Sequence, residues 1–198
     1  MVKTKLAIGA SFIIVLCLAF GQSEYLVRKT DDPAGFAIGA PFRLVTQTGQ
    51  PADERIFAGT QTALFFGFTH CPDICPTTLS ELTLWRDQIG ADADDLQIVF
   101  VTVDPVRDTP EILTEYLGFF DGSIIGLTGS EADIDKMLSD WGIYRKAYST
   151  ASGAISYDHT ATIFLLNSQG RLTGTIALQE SDEIAIAKLN NLISASAH

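Results

Sequence analysis

Ala63-Leu-Phe-Phe-Gly-Phe-Thr-His-Cys71-Pro-Asp-Ile-Cys75-Pro76 decides how this chain is read. An apolar run of strand length ends in two thiols. Pro76 then supplies the fixed φ favoured in a helix's first turn, so a helix is expected over Thr77 to Gln88, where Leu79, Leu82 and Trp85 recur at helical spacing. Thiols at a strand's carboxyl end, beside a helix N-terminus, lie where unpaired N–H groups favour negative sulfur. A thiolate is both the nucleophile of disulfide chemistry and a soft ligand for copper or zinc. A bridge between Cys71 and Cys75 would close only a tiny loop and stabilise little, so the pair reads as chemistry rather than as a staple.

The pattern extends in both directions from this stretch. Thr62 to Thr69 reads as a buried strand, and Leu96 to Val103 as a parallel central strand, apolar on both faces. Asp108-Thr-Pro110-Glu predicts a helix start with Asp108 as the cap and an end near Phe120. Ile124 to Leu127 is a short strand, and Ser130-Glu-Ala-Asp133 opens the next helix with a capping-box spacing. Arg145 to Tyr148 and Ile155 to Tyr157 flank Ser149-Thr-Ala-Ser-Gly153, a hairpin whose Gly/Ser-rich loop is a candidate gate or partner contact. Thr162 to Leu166 and Leu172 to Ile176 form another hairpin around Asn167-Ser-Gln-Gly170, and a helix covers Ser181 to Ser194. Upstream, Phe42 to Gln47 is a strand turned by Thr48-Gly-Gln50. Alternating strands and helices imply a sheet covered on both faces. The order predicts an α/β protein of thioredoxin-like fold. Its mixed central sheet is flanked by helices, with an extra N-terminal hairpin and a hairpin insertion before His159.

In such sheets function gathers at the carboxyl ends of the parallel strands. Cys71 and Cys75 follow one strand, and Asp104 follows its expected neighbour. His159 precedes a strand that, running antiparallel, starts at the same edge. Two thiolates and an imidazole suit Cu(I) or Cu(II). Zinc is disfavoured because it wants a fourth protein ligand, for which Asp104 is the candidate. Asp104 otherwise reads as a turn residue before Pro105, and Asp73 as a loop-shaping or solvated residue between the thiols. His70 adjoins Cys71 but points the other way, as neighbours on a strand do. Phe65, Phe66 and Phe68 read as core.

The remainder bounds the setting. The 198 residues suit one domain of roughly 160–170 residues with a short appendage. A net charge of −11 argues against nucleic acid and anionic lipid surfaces as partners of the domain. Lys3 and Lys5 precede the uncharged apolar run Leu6 to Gly21, which contains Cys17. That reads as a membrane anchor or export signal over residues 1–27, retention being favoured over cleavage after Ala19-Phe-Gly21. A linker over 28–37 and a domain over 38–198 follow. The expected setting is the bacterial inner membrane, with the domain facing the periplasm.

Phe68-Thr-His-Cys71-Pro-Asp-Ile-Cys75-Pro76, then Val103-Asp104-Pro-Val-Arg-Asp108-Thr-Pro110, then Asp158-His159 before an apolar strand, together resemble the Sco (SenC) family over residues 38 to 195. Family members are membrane-anchored thioredoxin-fold proteins that bind copper and help assemble the dinuclear copper centre of cytochrome c oxidase. The resemblance implies Cys71, Cys75 and His159 as copper ligands, with Asp104 in a supporting position. It implies as partners the copper-accepting oxidase subunit and a copper donor or thiol reductant protein. A thiol–disulfide reductase keeping the oxidase cysteines reduced is the alternative, with Cys71 and Cys75 catalytic, and a redox or copper sensor would use the same residues. A peroxidase of this fold would want a threonine three residues before Cys71, where Phe68 stands.

Overall fold

The computed structural model describes residues 40–93, 96–120 and 123–195. The expected anchor over 1–27 and linker over 28–37 lie outside them. Among the described residues, no helix is long and apolar enough to cross a membrane.

The central sheet grows from the segment quoted first. Gln61–Gly67 forms β3, buried at every residue, and pairs in parallel with Leu96–Thr102, β4, in the register Phe65 to Phe100. Burial on both faces is what a near-continuous apolar run requires. Ile125–Thr128, β5, runs parallel to β4 on its far side. Leu44–Thr46, β1, adds antiparallel to β5 and carries Pro51–Ala52, β2, as a short edge hairpin. On the opposite flank Ile163–Leu166, β8, pairs antiparallel with β3, and Leu172–Ile176, β9, pairs antiparallel with β8. The seven strands run in the order β2-β1-β5-β4-β3-β8-β9. The expected antiparallel run of the strand after His159 is therefore present.

Among the described residues, four α-helices fill the connections. Ile74–Ile89 is α1, Pro110–Leu117 is α2, Glu131–Asp140 is α3 and Asp182–Ser194 is α4. Ser130 caps α3 by accepting from the Asp133 N–H, and Trp85 Nε1 donates to Asp182 Oδ1 at 3.0 Å, tying α1 to α4. Phe57, Phe66, Trp141 and Phe164 form a packed aromatic cluster in the core.

Two helix starts differ from expectation. The first helix begins at Ile74, before Pro76, so Cys75 lies inside its first turn. A proline is tolerated there because first-turn N–H groups need no intrahelical partner. The cap of α2 is Thr109, accepting from the Ile112 N–H, with Pro110 as the first helical residue. Asp108 is not a cap: it is fully buried and turned inward.

The insertion also departs from the outline. Among the described residues, Arg145–Ser149, β6, and Ile155–His159, β7, pair only with each other, as a separate two-stranded sheet. His159 is the last residue of this hairpin rather than a residue following it.

Candidate metal centre

Cys71 sits in the loop after β3, half-buried, and Cys75 sits fully buried in the first turn of α1. Both are free. Helix geometry turns the Cys75 N–H toward the preceding loop, where it donates to Cys71 Sγ at 3.4 Å. The thiolate of Cys71 thus meets the positive end of α1. Gly67 ends β3 beneath the pair; a Cβ there would lie 3.0 Å from Cys75 Sγ, so the missing side chain makes room for the sulfur.

His159 reaches the same place from the hairpin. Its Nε2 lies 3.6 Å from Cys75 Sγ, and its Nδ1 lies 2.9 Å from the Thr160 carbonyl oxygen. A carbonyl only accepts, so Nδ1 carries the proton and Nε2 presents its lone pair to the sulfur. Phe65 and Phe68 hold the ring edge-on, with centroids 6.4 and 5.7 Å away.

The electrostatics divide the two thiols. Hydrogen bonding from the Cys75 thiol and from the backbone N–H groups of Cys75 and Asp73 pulls Cys71 down to about 4 against the opposing effect of burial. Cys75 is pushed well up, first by its bond to Cys71 and then by burial and the charge on Cys71. Cys71 is therefore the anion at neutral pH and Cys75 the thiol that donates to it.

Cys71 and the imidazole line one cleft of about 270 Å³, walled by Phe68, Tyr148, Tyr157 and Ala161, with the Cys75 sulfur buried behind His159 Nε2. A wider concavity beside Thr60 and Gln97 holds neither thiol nor imidazole. The donors suit a soft cation. Bonds of about 2.3 Å to sulfur and about 2.0 Å to imidazole nitrogen, as zinc makes, require the two atoms about 3.5 Å apart, close to the separation present. The second nitrogen is already oriented by a backbone carbonyl, the usual support of a ligating histidine.

Asp104 does not join them. It is 1% exposed, ion-paired through Oδ2 with the Arg107 guanidinium, and Oδ1 accepts from the Tyr157 hydroxyl at 3.5 Å. That engagement removes the fourth ligand on which a zinc site would depend. His70 is exposed, as expected, with Nδ1 3.0 Å from Thr69 Oγ1. Asp73 is exposed and precedes α1 without a side-chain capping bond.

Ligand atoms of His70, Asp104 and Asp108 fall within 4.8 Å of one another. Asp108, however, accepts from Thr69 N at 3.0 Å, Thr69 Oγ1 at 2.6 Å and Thr102 Oγ1 at 2.6 Å, and Asp104 faces a guanidinium. The two carboxylates are spent on the protein itself, and the cluster reads as structural. Burial pushes the Asp108 carboxyl up, while the bonds from Thr102 and Thr69 oppose it.

Sequence reasoning passed over Arg107 and Tyr157, and it read Asp108 as a helix cap rather than as a residue beside the site. Tyr157 was within reach of it: two residues before His159 on one strand, it shares the histidine's face.

A model of the SCO1/SenC family matches residues 30–194. This chain belongs to the SCO1/SenC family. Among solved structures, Bradyrhizobium japonicum ScoI with copper bound is 40% identical with a TM-score of 0.72, covering 79% of this chain and 99% of that one. Arabidopsis thaliana ScoI with copper bound is 31% identical with a TM-score of 0.76, covering 80% of this chain and 99% of that one. The curated SCO2 protein of Saccharomyces cerevisiae mitochondria is 32% identical over 92% of this chain, which spans 66% of the yeast protein's length. The family relationship accounts for the thioredoxin-like fold observed here.

Proposed function

We propose that this SCO1/SenC protein binds copper through Cys71, Cys75 and His159 and delivers it in assembling the dinuclear copper centre of cytochrome c oxidase. One observation carries this reading: an imidazole Nε2 lone pair faces the Cys75 sulfur at 3.6 Å, beside the Cys71 thiolate, in a cleft open to partners. Thiol–disulfide exchange has no need of that imidazole, whereas a copper site does. The copper-bound ScoI structures support the choice of metal.

The chemistry follows from the donors. Cys71 is already a charged ligand, and Cys75 releases its proton to solvent on metal binding, which leaves the Nε2 lone pair free to ligate. A soft site with three protein donors passes its cargo on by ligand exchange, a partner's thiolate or thioether displacing one donor at a time. The partners are the copper-accepting oxidase subunit and a copper donor or reductant protein. Residues 1–27 tether the protein to the bacterial inner membrane, 28–37 form the linker, and 38–198 work in the periplasm.

A thiol–disulfide reductase is the second reading, favoured by the low value of Cys71 beside a protonated Cys75. The two uses share one switch, because oxidation of the pair removes both sulfur ligands. Copper titration of the reduced full chain, wild type against His159→Ala, separates them. One-to-one binding that weakens sharply in the variant, with reductase activity retained, supports delivery. Binding indifferent to His159 sinks the copper assignment and gives the reductase the lead.

A further inference from the structure

The three donors are carried by two separate sheets. Cys71 and Cys75 follow β3 of the seven-stranded sheet, while His159 ends a hairpin that shares no ladder with it. A two-stranded hairpin has little stability of its own. The spacing between Nε2 and the sulfurs therefore depends on what ties the hairpin down.

The loop from Asp104 to Asp108 makes ties in both directions. Toward the thiols, Asp108 accepts from the backbone and hydroxyl of Thr69, two residues before Cys71. Toward the hairpin, Arg107 Nη1 donates to the Ile155 carbonyl at 2.9 Å, and its guanidinium lies 5.9 Å from the Tyr157 ring centre. Arg145, opposite His159 in the hairpin register, stands 5.8 Å from the same ring and donates to the Val103 carbonyl. The Tyr157 ring meets Phe68 edge-on, and Phe68 meets His159 edge-on. Thr102 Oγ1 joins the two directions, accepting from Asp104 N and donating to Asp108 Oδ2.

We propose that the 104–108 loop is a strut that sets the distance between His159 and the two thiols, with Arg107 and Tyr157 as positioning residues for the imidazole. The strut's role in metal retention rests on the copper reading above; its role in placing the hairpin does not. Breaking it frees the hairpin to carry His159 away, which loosens the cargo while both sulfurs stay in place.

The test uses the reduced, metal-free full chain and the variants Tyr157→Leu, Arg107→Gln and Tyr157→Phe. In the wild type, nitrogen-15 spectra of the His159 ring are expected to show the Nδ1-protonated tautomer alone, as its bond to the Thr160 carbonyl requires. Tyr157→Leu and Arg107→Gln are expected to mix the tautomers and to speed amide exchange over 155–159, leaving β3 and β4 protected. Tyr157→Phe keeps the ring between the cations and behaves as wild type. Loaded with copper, the first two variants release it to a chelator roughly 10- to 100-fold faster, the usual scale for partners behind a ligand. A Tyr157→Leu protein with wild-type ring spectra and exchange overturns the strut. If copper release is equally indifferent to His159→Ala, the copper reading fails, and the metal-free readouts still judge the strut. Should Arg107→Gln fail to fold, Tyr157→Leu, at a partly exposed position, carries the test.

Discussion

Gly67→Ala adds one methyl where the sheet has no room for it. The new Cβ would lie 2.7 Å from Phe100 Cε2, 3.0 Å from Cys75 Sγ and 3.1 Å from Phe65 Cε1, all three fully buried. Phe100 cannot swing clear, because Phe65 and Tyr116 stand against it with ring centres 6.2 and 6.0 Å away. Overpacking of this kind costs about 1–3 kcal/mol, and the lost flexibility of glycine returns roughly 0.5–1 kcal/mol. The midpoints leave a net loss of about 1 kcal/mol, which lowers Tm by about 2–4 °C in a domain of this size. The sulfur must give way too, and Cys75 is the main support of the Cys71 thiolate. The pH profile of Cys71 alkylation should therefore shift upward. Gly126→Ala is the control: its Cβ would meet the end of the flexible Leu117 side chain at 2.6 Å, with no sulfur near. It should leave the alkylation profile unchanged. A Gly67→Ala protein with wild-type Tm and an unmoved profile refutes the reasoning, and an equal shift in Gly126→Ala shows the effect is not local.

Three further outcomes are expected. Alkylation of Cys71 should stay flat across neutral pH and fall only as pH approaches about 4, whereas Cys75→Ser moves the fall upward toward the ordinary thiol range; a profile untouched by Cys75→Ser contradicts the shared proton. Asp108 is raised in the folded state by burial, so the stability it contributes is greatest at acid pH, below its unfolded value, and is lost as pH rises through the folded one. Urea melts should accordingly show wild type losing ground to Asp108→Asn as pH increases across that window, and a gain instead would reverse the assignment. Trp85→Phe removes the bond to Asp182 between α1 and α4 and should cost about 1–3 kcal/mol, read in a double-mutant cycle with Asp182→Ala that returns no coupling if the bond is idle.

The long alternating segments were legible because their signals are local. The run before Cys71 is apolar without a break, and β3 is buried at every residue. Ser130 with Asp133, and Pro110, marked helix starts that the structure contains. The convergence of Cys71, Cys75 and His159 was legible as topology, since a histidine before an antiparallel strand must lie at the edge where the parallel strands end. The error at Asp108 has a physical cause. Asp, Thr and Pro in sequence satisfy a capping pattern at either of two positions, and only the hydroxyls of Thr69 and Thr102, far away in the chain, decide that Thr109 caps and Asp108 turns inward.

What the amino-acid sequence determined alone is the element order, the thiol loop against a helix start, and the donor types brought to one edge. Periodicity and turn chemistry encode these within a few residues of each position. Tertiary structure alone decided that the histidine rides a separate hairpin, that Asp104 pairs with Arg107, and which of the two thiols is the more acidic. Each depends on a pairing between segments distant along the chain, and on the burial that such pairing creates. Spacing along the sequence carries no record of it.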